Sequence, residues 1–124
     1  MAINARAKGA RGERELAKYL TGLGFDCERS ARNGVKGATD VIWKRCPTVI
    51  IECKMCDTYR PGRKELDKVI ERLRGESDDW MLFVKESRQP WKMYFETFYD
   101  GLLVMIWGDD RIKHVLTRWE VKIF

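Results

Sequence analysis

The chain has 124 residues and 44% hydrophobic content, enough for one domain with a single core. No apolar run approaches the roughly 20 residues of a membrane span, and the opening Met-Ala-Ile-Asn-Ala-Arg has no apolar signal-peptide region. These features predict an intracellular, cytoplasmic protein with no membrane partner. The formal net charge of +5 is unevenly placed: residues 1–45 hold ten Lys/Arg against five Asp/Glu, whereas residues 46–124 hold fourteen of each. The excess positive charge therefore sits in the first third, which points to a polyanion, most simply nucleic acid.

Residues 3–23 read as a basic amphipathic helix. Leu16, Tyr19, Leu20 and Leu23 follow the i, i+3, i+4, i+7 pattern, and Gly22 and Gly24 end it. Arg6, Lys8, Arg11, Arg14 and Lys18 spread positive charge over the early turns, which suits contact with backbone phosphates. Glu13 and Glu15 flank the apolar stripe on opposite sides. Helical geometry does not choose between them, and either also suits an ordinary ion pair with a neighbouring base. Phe25 to Arg29 is a short strand. Ser30 to Thr39 is a loop of small residues with two glycines, the kind that lets a backbone approach a ligand closely. Arg29, Arg32 and Lys36 lie just ahead of Asp40, on the path of an incoming phosphate, although a plain solvated connection would look the same.

Asp40 to Lys54 is the stretch on which the chain turns. Val41–Trp43 and Val49–Cys53 read as two strands joined by a turn at Lys44–Thr48 containing Pro47. Side chains alternate along a strand, so Glu52 and Lys54 share one face and Cys53 takes the other. Asp40 reaches the face of Glu52 if the hairpin register allows it. Two carboxylates and an ammonium at the end of an apolar sheet suit a Mg²⁺ site, because that ion takes one or two carboxylates and completes its shell with water and phosphate. A metal so held activates water for attack on a phosphodiester, and a lysine two residues on orients that water or neutralises the developing charge. The competing reading is a surface ion pair of Glu52 with Lys54 at a strand end.

Met55 to Arg63 reads as a loop. A second helix over about Lys64–Arg74 carries Leu66, Val69, Ile70 and Leu73 at helical spacing, with Gly75 as its stop. Trp80–Lys85 is a buried strand. Beyond it, Met93–Phe98 suits strand or helix, Leu102–Trp107 is apolar throughout, and Ile112–Leu116 with Val121–Phe124 suit edge strands or a final helix. Cys53-x-x-Cys56 has the spacing of half a zinc site, yet Cys27 and Cys46 make no second close pair, so reduced, buried thiols are expected. Trp91, Tyr94, Phe95, Phe98, Tyr99, Trp107 and Trp119 crowd the tail. They suit either an aromatic core or an apolar patch that pairs with a second copy. His114, the lone histidine, has no visible base-and-nucleophile partner.

The order helix with Glu13, strand, loop, Asp40, strand with Glu52-Cys53-Lys54, helix, strand resembles the PD-(D/E)XK nuclease superfamily. More narrowly, Lys8-Gly9-Ala10-Arg11-Gly12-Glu13-Arg14-Glu15-Leu16, then Gly24-Phe25 and Arg29-Ser30, resembles the archaeal-type and viral Holliday junction resolvases over about residues 7–85. The resemblance implies an α/β (α+β) fold: a restriction-endonuclease-like central mixed sheet flanked by helices, with αβββαβ core order. A single nuclease domain over 1–124 is expected, with 86–124 completing the sheet and forming a dimer surface. It also implies that Glu13, Asp40 and Glu52 are metal-binding acids, that Lys54 is the catalytic lysine and that Ser30 lies where the family carries a functional serine. Two departures stand out. Thr39 occupies a position where the superfamily often has proline, and the second helix lacks a glutamine some members carry, although Lys64 or Lys68 is placed to face the site.

The expected function is metal-dependent endonucleolytic resolution of four-way DNA by paired symmetric nicks, with Mg²⁺ as cofactor and Mn²⁺ able to substitute. The expected assembly is a homodimer in the cytoplasm, or the host-cell cytoplasm for a viral member. Lys8, Arg11, Arg14, Arg29, Ser30, Arg32 and Lys36 are the expected DNA-binding residues. The alternatives are another nuclease of this superfamily acting on duplex, flap or single-stranded DNA, and a module that keeps the basic face without catalysis.

Overall fold

A computed structural model of the chain describes residues 3–30, 39–56, 63–97 and 101–123. Its elements are α1 (Ile3–Gly22), β1 (Cys27–Arg29), β2 (Val41–Trp43), β3 (Ile50–Cys56), α2 (Arg63–Glu76), β4 (Trp80–Glu86), β5 (Lys92–Glu96), β6 (Leu103–Trp107) and α3 (Asp109–Ile123). The first six follow the αβββαβ order expected from sequence, and the strands line up β1-β2-β3-β4-β5-β6 in one mixed sheet. Only β3 and β4 are parallel; the helix α2 makes the crossover that a parallel pair needs. Every other neighbouring pair is antiparallel.

Two apolar layers sandwich the sheet. On one face Leu16, Ala17 and Leu20 of α1 and Ile112, Leu116 and Trp119 of α3 pack on Val41, Ile51, Met81, Phe83 and Met93. On the other, Ile70 and Leu73 of α2 cover Ile50, Trp80, Leu82 and Val84. Alternation along β3 assigns Ile51 and Cys53 to the first face, Ile50 and Cys56 to the second. Cys53 and Cys56 therefore point through opposite sides of the sheet and hold no common metal. All four cysteines are free thiols.

Local chemistry sets how α1 sits. Its C-terminus closes with Phe25 N–H donating to Leu20 O and Gly24 N–H to Thr21 O, both at 3.0 Å. Gly24 takes φ +105°, the left-handed residue that this capping pattern requires. At Gly12 the helix lies against β3 so closely that an added Cβ would come within 3.2 Å of Met55 Cβ. That approach carries the next residue, Glu13, to the edge of the sheet.

The tail resolves the alternatives that its sequence leaves open. Trp91, Phe95 and Trp119 are core residues, while Phe98 and Tyr99 lie outside the described residues. Ile112–Leu116 belongs to α3 and not to edge strands. What stays exposed is mostly aliphatic: Leu102, Leu103, Met105 and Val121, with Trp107. Leu103, Met105 and Trp107 alternate along the edge strand β6 on the side away from Val104 and Ile106, which pack on the α1/α3 layer. Among the described residues, no helix is long and apolar enough to cross a membrane.

Candidate active site

Register answers the question the hairpin leaves open. Val41 pairs with Ile51 across β2 and β3, and Asp40 N–H donates to Ile51 O at 3.0 Å. One step along, Asp40 stands opposite Glu52, and the pleat turns both to the α2 side of the sheet. Lys54 follows on the same face. Asp40 is fixed twice more: Cys53 N–H donates to its Oδ2 at 2.9 Å, and Ser30 N–H donates to its carbonyl at 2.9 Å.

Thr39 does what a proline in its place does not. Its hydroxyl accepts from Ile51 N–H at 2.8 Å and shares its proton with the Val41 and Ile51 carbonyls. The departure from the superfamily pattern thus clips β2 to β3 immediately before Asp40, and supports the position through side-chain hydrogen bonds.

The two facing acids change each other. Burial, then the hydrogen bond and negative charge of Glu52, push the Asp40 carboxyl from its ordinary value up to about 8; the Cys53 N–H and the more distant charge of Glu13 are lesser influences, of opposite sign. Without a cation, Asp40 is therefore harder to ionise than an ordinary aspartate. Burial likewise pushes the neighbouring Cys53 thiol well up, which keeps it neutral beside the acids.

Glu13 comes from the other layer. It is buried, and its Oε1 accepts from Arg29 Nε at 2.9 Å. Arg29 shares its face with Val41, its partner in β1–β2 pairing, which explains why it meets α1. So Asp40, Glu52 and Lys54 gather on one face, while Glu13 approaches from across the sheet edge near enough for its charge to reach Asp40. Glu15 is exposed.

The helix α2 adds two further residues to this face, Arg72 and Glu65. Arg72 Nη2 donates to Glu52 Oε2 at 2.7 Å, and Lys54 Nζ pairs with Glu65 Oε1. Lys64 and Lys68, the expected α2 contributors, are exposed. Glu65, Val69, Arg72 and Glu76 form one helical stripe beside the apolar row of Leu66, Ile70 and Leu73, and this spacing was the available signal. Of the expected DNA-binding residues, Arg11 and Arg14 are exposed on α1, Arg29 is half-exposed against Glu13, and Ser30 is buried. Arg32, Lys36 and the side chain of Lys8 lie outside the described residues.

The donor set suits a hard cation of low protein coordination. Among the described residues no group of three or more His, Cys, Asp or Glu side chains is gathered as a complete metal cage. A facing pair of oxygen donors that repel each other when both are charged is, however, what Mg²⁺ uses when water and phosphate fill the rest of its shell.

Residues 4–99 match the family model of the archaeal Holliday junction resolvases (hjc). The chain belongs to this resolvase family. It is a DNA-acting nuclease that resolves Holliday junctions, and the family works with divalent metal ions. Among solved structures, a similar one is Hjc from Archaeoglobus fulgidus, a Holliday junction resolvase from an archaeal hyperthermophile. The two are 21% identical, over 79% of this chain and 87% of that one, with a TM-score of 0.45. No curated protein matches the chain.

Proposed function

We propose that this resolvase cuts four-way DNA by Mg²⁺-dependent phosphodiester hydrolysis at a site built from Asp40, Glu52, Lys54 and Glu13, with Mn²⁺ able to replace Mg²⁺. The observation that carries the assignment is the facing of Asp40 and Glu52 across β2 and β3 with Lys54 on the same face. Asp40 and Glu52 would hold the cation, and Glu13 would contribute from the α1 side. When bound, that cation supplies charge neutralisation at the phosphate and lowers the pKa of water.

The chain's own groups do the rest. Lys54, an ammonium two residues beyond Glu52, orients the attacking water and offsets the charge that develops as the P–O bond breaks. The backbone bonds from Cys53 and Ser30 hold Asp40 in place, so the carboxylate pair is pre-set rather than assembled at each turnover. Arg11, Arg14 and Arg29, with Lys8, Arg32 and Lys36, supply the positive surface that follows backbone phosphates. Ser30 acts at the margin of that surface, through the strand that carries Asp40. Such contacts read shape and position, with little base sequence read.

Paired symmetric nicks require two sites related by a two-fold axis, which a homodimer supplies. The uncovered apolar face of β6, formed by Leu103, Met105 and Trp107, is the surface we assign to that contact. The single domain spans 1–124, with its nuclease core over about 7–85, and works in the cytoplasm.

Asp40→Asn, Glu52→Gln and Lys54→Ala variants test the site. Each is expected to lose cleavage by at least two orders of magnitude while binding a four-way junction in EDTA as tightly as the unmodified chain. Retention of cleavage in any of the three would remove that residue from the site.

A further inference from the structure

In the absence of a cation, the two acids facing each other across β2 and β3 need something to offset their charge. The guanidinium of Arg72 does this. It is aimed at Glu52 from α2, with Nη2 at 2.7 Å from Oε2, and Glu52 keeps only 16% of its side chain exposed. Arg72 also approaches Glu76 on its own helix, at 3.8 Å, and the charge of Asp40 acts on it too. About two turns earlier on the same stripe, Glu65 does the converse for Lys54. The helix thus presents a positive group where a cation is wanted and a negative group where a phosphate is wanted.

We propose that Arg72 is a positioning residue of the metal site: it holds the Glu52 carboxylate in the metal-free protein and yields it when the divalent cation binds. The inference rests on the metal site assigned above. Its physical basis is exchange. A carboxylate oxygen engaged by a guanidinium at hydrogen-bond distance is not open to a metal ion, so cation binding must break or reshape that contact. Because Arg72 is about half exposed, with 47% of its side chain accessible, it has water to move into once released. A guanidinium is bulky, planar and permanently charged, so it orients Glu52 without itself losing a proton.

The experiment is Mn²⁺ binding to the DNA-free protein, followed by the paramagnetic resonance signal of the free ion. Arg72→Gln is expected to bind Mn²⁺ roughly fivefold more tightly than the unmodified chain, the upper range for a half-exposed ion pair. Arg72→Lys, which keeps the charge within reach of Glu52, is expected to return the affinity to near that of the unmodified chain. Arg74→Gln removes the same charge from the same helix, yet Arg74 pairs with Glu96 at 3.1 Å and not with Glu52; its affinity is expected to be unchanged. Equal or weaker binding by Arg72→Gln would overturn the inference, as would equal tightening by Arg74→Gln, which would reduce the effect to net charge. Failure of the unmodified chain to bind Mn²⁺ at all would overturn the metal-site assignment and the role of Arg72 with it. Binding that Asp40→Asn abolishes but Arg72→Gln leaves unaltered would remove Arg72 alone.

Discussion

Replacing Asp40 by Asn is expected to stabilise the metal-free protein at alkaline pH. In the folded chain burial, and after it Glu52, push the Asp40 carboxyl up to about 8 from the 3.8 of an unperturbed aspartate. A folded-state pKa above the unfolded value favours folding only while the group is protonated. The contribution is complete below the unfolded value and is lost progressively as pH rises through the folded one. About four units at about 1.4 kcal/mol each set a ceiling near 5–6 kcal/mol. The site is partly open to solvent and Arg72 stands beside it, so a loss of about 2–3 kcal/mol between pH 5 and 9 is the realistic figure. Asparagine cannot ionise, so Asp40→Asn escapes this loss. In EDTA at pH 9, urea denaturation should show it about 2 kcal/mol more stable than the unmodified chain, with the gap closing toward pH 5. Saturating Mg²⁺ should raise the stability of the unmodified chain alone and narrow the difference. A stability profile flat from pH 5 to 9 in EDTA, or a variant no more stable at pH 9, would refute the reasoning.

Thr39→Val keeps the shape of the side chain and removes the hydroxyl that clips β2 to β3, leaving Ile51 N–H without that acceptor; a loss of about 1–2 kcal/mol in thermal denaturation is expected. Two helix glycines should respond in opposite directions. Gly9 has nothing within 4 Å of an added Cβ, so Gly9→Ala should stabilise the chain by about 0.5–1 kcal/mol; Gly12→Leu must push α1 off Met55 and should cost about 2 kcal/mol or more, both read by urea denaturation. Met105→Glu places a charge in the middle of the exposed β6 face and should leave the fold intact while lowering the mass measured by light scattering from dimer to monomer.

The local pattern carried much of the site. The alternation of Ile51, Glu52, Cys53 and Lys54 put the acid and the lysine on one face before any fold was known, because period two is a property of the strand alone. That Asp40 meets Glu52 depended on hairpin register, and register is set by which residues bury: Val41 and Ile51 share the α1 layer, so their neighbours must share the other. The α2 contributors were harder. Glu65 and Arg72 lie next to an apolar row that any amphipathic helix shows, and only the crossover from β3 to β4 brings that flank over the motif. The tail was ambiguous for a different reason. Trp91, Phe95 and Trp119 look alike in composition whether they fill a core or line an interface, and the distinction comes from α3 folding back beneath β5. Tyr19 records that return, its hydroxyl donating to Asp109 Oδ1 at 2.7 Å across a separation of 90 residues.

The central claim is that two symmetry-related copies of the Asp40–Glu52–Lys54 site cut opposite strands of a four-way junction. Its most direct measurement is a map of cleavage positions on all four end-labelled strands of one junction in Mg²⁺, beside a linear duplex of the same sequence. Nicks at equivalent positions on one opposed pair of strands, with the duplex intact, are the predicted result. Cleavage of junction and duplex alike, or nicks that fall independently on all four strands, would contradict it.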